Sequence, residues 1–559
     1  MIWTYQHLGY TLACDTETTI APFTDTPDLI TFQVYNGEEA LFVRREDVAR
    51  FFEVHDKSIF IFHNAPFDID VICKHLGDRN YFHDILESDR LRDTLLEYKL
   101  LKLAENGFVP GKASLDAVYK EYFNQELDKN EEIRCTFDQY MDTPIESMAK
   151  SHQAYALQDA IATYKIYKRM EGDIKKRSPG QRLSEQINLA GALALNRIYK
   201  RGVGFDLDAA KLKLEEFDIK LEHLQKILAT YGWVRGQKGI KERYDSIIDF
   251  LGIDVPTTDS GNYSSKEDDL IPFKGNHFVD TYLEYIHYEK LRTFIIKNNT
   301  RRLHPRYNSL VNTGRTSCSN PNAQQLPNKG GIKELFIPKE GHLFVEVDYN
   351  ALEMATLSQV LFTRFKKSKM RKAINAGKDL HKYAASVGLH KSEEDITKEE
   401  RQLFKAANFG FGANMSSSTF IQYAKGYGID LTEEKSAELK KNWTKAYPEI
   451  KDFWNVSREE TTVTTLTGMV RGNCTYTAYL NTQFQSLAAM GAKIMLYYLD
   501  YEGFDVVMFV HDSVVVEVPK DKAEQYKDRI ESIMVEAMKQ VCPDVEIRVD
   551  GDIKERYCK

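Results

Sequence analysis

Strand-like and helix-like segments alternate through residues 11–171, and this alternation restricts the chain's first section to an α/β layer structure. TLACDTETT and LITFQVY read as strands, IFIFHNAPFD as a strand running into a helix, and 147–171 as a helix rich in Ala and Tyr. Asp15 and Glu17 are two apart on the first strand, so they project from one face. Two acids so placed repel unless a cation lies between them. Asp68 follows FHNAPF, and Tyr155 and Asp159, four apart on a helix, share a face. Four carboxylates and a phenol can hold two Mg²⁺ ions, with Mn²⁺ as the alternative, and can orient a water for phosphodiester hydrolysis. Each piece alone is commonplace, since an Asp-x-Glu on a strand is usually surface decoration.

Beyond 171 the polar string KKRSPG (175–180) predicts a linker. The chain then turns helical from 183, with a long charged helix at 206–231, a polar irregular stretch at 252–276 and a further helix at 278–299. Residues 379–460 read as almost wholly helical. Two apolar strands end in acids: HLFVEVDYNALEMATL (342–357) carries Asp348 into a helix, and FVHDSVVVEV (509–518) carries Asp512 at a hairpin turn. A strand-end Asp is more often a helix cap. If these two strands pair, however, Asp348 and Asp512 converge on one metal site. Between them, Arg401, Lys405 and Phe409 recur every four residues in RQLFKAANFGFG and share a helical face. Two cations and an aromatic ring there suit a triphosphate and a base or sugar; an amphipathic helix with a solvated basic edge is the plainer reading.

These strings resemble known families in sequence order. DTE (15–17), N-x-x-x-F-D (64–68) and Y-x-x-x-D (155–159) resemble the three motifs of the DEDD-type 3′–5′ exonucleases, and Asp93-Thr94 resembles a pair often seen between the second and third. The strings at 342–357, 401–412 and 509–518 resemble motifs A, B and C of the family A DNA polymerases. TGRTSCSNPNAQQLP (313–327), KDLHKYAA (378–385) and LNTQFQSLAAMGAK (480–493) resemble further family segments. The resemblance implies an α/β chain with an RNase H-like exonuclease domain at 1–180, followed by a right-hand polymerase domain at 181–559. Within the latter it implies a thumb at about 200–305, a palm at about 306–375 and 480–559, and fingers at about 376–479. Asp348 and Asp512 would then ligate two Mg²⁺ ions, with the Tyr349 carbonyl contributing. Arg401, Lys405 and His381 would hold the incoming deoxynucleoside triphosphate, and Phe409 would pack on its sugar and base. Glu353 would crowd the 2′ position against ribonucleotides. Arg315, Asn481 and Gln485 would contact the minor groove of the primer–template, where every correct pair offers acceptors. In the exonuclease, Asp15, Glu17, Asp68 and Asp159 would hold metal and Tyr155 would position the water.

Some positions depart from the family pattern. Ser513 replaces the second acid of motif C, Ala351 and Ala355 replace a Gln and an Arg of motif A, and Ala413-Asn414 stand where motif B places Tyr-Gly. A chain that begins almost at once with the exonuclease motif resembles the compact replicative polymerases of bacteriophages. The competing function is an exonuclease whose C-terminal part only binds nucleic acid, but such a module would have no reason to keep Asp348, Asp512 and Lys405. The sequence identifies no processivity factor, helicase or primase partner; 232–276 is the stretch where a processivity factor would be sought.

The net charge of −8 over 559 residues first argues against a nucleic-acid partner. Yet 287–306 and 364–372 carry +5 and +6 locally, so the sum hides basic segments. Seven scattered cysteines without a CxxC pair predict no disulfide framework or zinc site and a reducing cytoplasm as the compartment. No apolar run approaches the ~18 residues of a membrane helix.

Overall fold

The computed structural model describes residues 1–456 and 459–558. They form two compact units, one of 1–202, 304–320 and 345–553, the other of 203–303, 321–344 and 554–558.

The first unit opens with a five-stranded mixed sheet: β1 (Thr11–Thr18), β2 (Leu29–Tyr35), β3 (Ala40–Val43), β4 (Ile59–Phe62) and β5 (Leu91–Asp93), in the order β3-β2-β1-β4-β5. β1 pairs antiparallel with β2 and parallel with β4, which places it at the centre. Phe32, Phe51, Phe60 and Phe62 are fully buried on this sheet and its first helices. Each such side chain contributes ~1.5–3 kcal/mol of apolar transfer free energy. Helix Lys150–Arg177 brings Tyr155 and Ala156 into a second cluster with Ile30, Phe42 and Phe137.

The 175–180 stretch is a short connection, exposed except at Ser178. Helix Lys150–Arg177 runs into it, and a tight turn then leads to helix Arg182–Arg201. Ser178 and Gln181 are buried, and the Ser178 hydroxyl donates to Gln181 Oε1 at 2.5 Å. Lys175, Lys176, Arg177, Pro179 and Gly180 are exposed, as the polar composition suggests, and only Ser178 and Gln181 turn inward.

Later in the chain a four-stranded sheet is ordered Asp505–Val510, Ser513–Pro519, His342–Tyr349, Val549–Lys554. The first two strands form an antiparallel hairpin in which Val510 pairs with Ser513, leaving His511-Asp512 as the turn. His511 adopts φ 60°, the left-handed conformation such a two-residue turn requires. Among the described residues, the helical region after 379 is five helices, Leu380–Leu389, Lys398–Phe411, Ser417–Lys425, Glu433–Ala446 and Ile450–Trp454.

The second unit carries a three-stranded sheet, Phe336–Ile337, Val203–Phe205 and Arg302–Leu303, and the long helices Leu207–Thr230 and His277–Lys297. Its core includes Trp233, Tyr244, Val255, Leu270, Phe278 and Tyr282, so part of the irregular 252–276 stretch is packed. Among the described residues, no helix is long and apolar enough to cross a membrane.

Candidate active sites

The first site gathers around the middle of β1. Asp15 and Glu17 share a face, as the period of a strand requires. The Asp15 carboxylate accepts from Gln33 Nε2 at 2.7 Å, across the register that pairs the two residues. Asp68 lies in helix Ala65–Leu76 and accepts from the Thr16 backbone N–H at 3.1 Å and its hydroxyl at 2.6 Å. Asp93 caps the following helix through Leu95 N, and it also accepts from the backbone N–H of Asn64 and Ala65 at 3.0 and 3.1 Å. It thereby fixes the turn that launches the Asp68 helix.

The carboxylates of this site push one another upward. Burial raises Asp15 well above the carboxylate range, and Asp68, Asp159 and Glu17 add to it. Burial, then Asp159, pushes Glu17 up to about 8, while burial takes Asp68 to about 7. The Tyr155 phenol is raised by burial and then by Asp159 and Glu17. All five expected side chains are therefore electrostatic neighbours. Lys129, which sequence reasoning missed, lies 2.8 Å from Asp159 and supplies a counter-cation. Its loop gave no signal; Gln33 did, as a polar residue in the apolar run of β2. Among the described residues, no cluster of three or more His, Cys, Asp or Glu side chains is preassembled as a metal site. The donor chemistry nonetheless fits a hard cation, because mutually repelling oxygen ligands are what a divalent ion relieves.

The second site lies where the two acid-bearing strands meet. Asp348 and Asp512 are in hydrogen-bond contact, and burial followed by Asp512 raises Asp348 to about 7. Burial also raises Asp512, against the opposing pull of Arg315. Tyr349 turns its side chain inward, where the phenol donates to the Met534 carbonyl at 2.7 Å, leaving its backbone for the site. Glu353 forms an ion pair with Arg315.

Helix Lys398–Phe411 begins with a capping box between Thr397 and Glu400 and places Arg401, Lys405 and Phe409 on one half-exposed face. Arg401 pairs with Asp379 at 2.8 Å, and Asp379 caps the helix that carries His381. His381 packs against Phe409 with ring centroids 5.9 Å apart. Its Nδ1 lies 2.7 Å from the Asn408 amide, a buried residue that sequence reasoning passed over. Burial lowers His381 to about 4, and the nearby Arg401 and Lys405 lower it further against Asp379. Arg401, His381 and Asp379 line a cavity of about 400 Å³ together with Asn350, Ala351 and Ala355. The small residues that depart from motif A thus leave open space beside the cationic helix. Asn481 and Gln485 lie one turn apart on helix Tyr476–Tyr501, half-exposed on one face. The Asn414 amide donates to the Tyr476 hydroxyl at 2.8 Å, so this departure from motif B is tied to that helix.

Residues 241–559 match the model of DNA polymerase family A, and residues 3–175 match that of a 3′-5′ exonuclease. The chain belongs to the family A DNA polymerases. It carries a 3′–5′ exonuclease domain ahead of the polymerase domain, and membership implies dependence on divalent metal. The chain is 30% identical over 391 residues to DNA polymerase I of Aquifex aeolicus, covering 64% of this chain and 67% of that one. It is 26% identical over 340 residues to the DNA polymerase of Bacillus phage SP01, covering 53% of this chain and 36% of that one. A structure of the POL domain of Pol1 from M. smegmatis, in complex with DNA primer-template and dNTP, superposes with a TM-score of 0.76 at 18% identity. That match covers 98% of this chain and 96% of the other, and it shows the shared fold. Relatives from bacteria and from a phage both appear, so the comparisons do not assign the chain to a phage.

Proposed function

We propose that this chain is a template-directed DNA polymerase that adds deoxynucleotides to a primer 3′-OH and trims mispaired ends with its exonuclease site. The observation that carries the reading is the convergence of Asp348 and Asp512, with Asn350, two residues after Asp348, lining the same cavity as Arg401 and His381. Bound Mg²⁺, two ions per site, would supply Lewis-acid activation of the attacking oxygen and charge neutralisation at the leaving one. Asp348, Asp512 and the Tyr349 carbonyl would hold the ions. Arg401, Lys405 and His381 would bind the triphosphate, Phe409 would orient its sugar and base, and Glu353 would close the 2′ side. Arg315, Asn481 and Gln485 would test pairing geometry in the minor groove. In the exonuclease, Asp15, Glu17, Asp68 and Asp159 would hold metal while Tyr155 orients water.

The domain reading is 1–180 exonuclease, about 200–305 thumb, about 306–375 and 480–559 palm, and about 376–479 fingers; the compact body at 203–303 supports the thumb. A cytoplasmic setting fits the scattered cysteines, and a phage-type lineage is supported by the SP01 relative. Primer extension with Mg²⁺ and four deoxynucleotides tests the function. Asp348→Ala and Asp512→Ala should abolish extension, whereas Asp15→Ala should abolish trimming and spare extension. Extension at the parent rate by either palm variant would overturn the site assignment.

A further inference from the structure

Lys493 is fully buried in helix Tyr476–Tyr501, an unusual place for a lysine. Its ammonium nitrogen lies 2.6 Å from Asn188 Oδ1 and 2.7 Å from the Gly314 carbonyl. Neither acceptor is a carboxylate, and burial alone pushes the amine down to about 7. The chain makes room for this side chain deliberately. A Cβ on Gly191 would stand 2.6 Å from Lys493 Cγ, so only glycine lets the stem pass helix Arg182–Arg201.

The carbonyl it holds belongs to a constrained turn. Val311 N–H donates to the Arg315 carbonyl at 2.9 Å, and Gly314 N–H donates to the Val311 carbonyl at 2.8 Å. Gly314 has φ +81°, and a Cβ there would meet Ser486 Oγ at 3.0 Å. Lys493 is thus a side-chain tether on the residue just before Arg315. Arg315 in turn pairs with Glu353, and both bear on the Asp512 carboxylate, one lowering and one raising its proton affinity.

We propose that Lys493 is a positioning residue for the polymerase site, holding the Gly314 carbonyl so that Arg315 is aimed at Glu353 and the Asp512 turn. The proposal rests on the polymerase reading above. Lys493 touches no substrate and acts only through the turn. A misplacement of about 1 Å in such a group costs on the order of 100-fold in rate.

The test is single-nucleotide insertion by Lys493→Met, Arg315→Ala and the double variant, with 3′ trimming by each protein as a folding control. Lys493→Met should lower kcat at least tenfold, leaving trimming within twofold of the parent. The double variant should be no slower than Arg315→Ala alone, because the lysine has nothing left to position. Losses that multiply, a loss under twofold in Lys493→Met, or a fall in primer–template affinity alone would each overturn the assignment. If Lys493→Met loses trimming as well, the same cycle is read with Lys493→Gln, where multiplying losses overturn it equally. Failure of the parent protein to extend any primer would sink the polymerase reading instead.

Discussion

Replacing Arg197 by Met should destabilise the first unit by about 3 kcal/mol. The Arg197 guanidinium donates to Asp70 at 2.9 Å, to Asp500 at 2.6 Å and to the Arg79 carbonyl at 2.9 Å. Its side chain is 14% exposed, and those of Asp70 and Asp500 are 6% and 5% exposed. Breaking a buried pair by removing one partner costs ~3–5 kcal/mol, because the remaining charge is left uncompensated. Here Lys200 still serves Asp70 at 2.9 Å, and Arg79 and Arg201 still serve Asp500, so the low end applies. At roughly 1 °C per kcal/mol for a unit of this size, Tm should fall by about 3 °C in scanning calorimetry. A fall under about 1 °C would refute the reasoning. Function should follow, since Asp68 and Asp70 are two apart and point about 200° apart around one helix. One face presents the candidate ligand and the other anchors the helix, so trimming should suffer more than extension.

Without metal, the raised Glu17 and Asp68 keep protons in the native state that the unfolded chain, with carboxyls near pKa 4, has released. The native state therefore binds more protons between about pH 4 and 8, and stability falls as pH rises through that window. In excess chelator, Tm should drop from pH 5 to pH 7; added Mg²⁺ or the Asp15→Asn/Glu17→Gln variant should flatten that slope, and a rising Tm would count against it. Glu353→Ala should admit ribonucleotides on the order of 100-fold more readily, read as the ratio of kcat/KM values for deoxy- and ribonucleotide. Primer–template affinity should weaken steeply between 50 and 200 mM salt, by a slope set by local basic segments and not by the net charge.

Much of both sites was legible because their acids sit on elements with strong periodic signals. β1, the hairpin around Asp512 and the Arg401–Phe409 face are all short-range patterns, and each local pattern already fixes a direction. The partners that tune them come from distant sequence. Lys129 reaches Asp159 from an irregular loop, Asn408 faces inward beside His381, and Lys493 spans three segments to reach Asn188 and Gly314. No periodicity reports such contacts, since they are set by packing between elements. The inward turn of Ser178 and Gln181 escapes the sequence for a related reason: composition measures polarity and does not report which polar side chain faces inward.

That turn also bears on traffic between the two sites. The crossing is short, and the next helix is clamped by Arg182 onto the Leu91 carbonyl and by Gln186 onto the Leu86 carbonyl. With the nuclease section held in this way, we expect the DNA to do the travelling: a mispaired terminus would fray and its single strand would cross to the candidate exonuclease carboxylates. A cross-link between helix Arg182–Arg201 and the exonuclease core should then leave trimming of frayed ends at its ordinary rate, and mismatches that melt more readily should be removed faster in proportion.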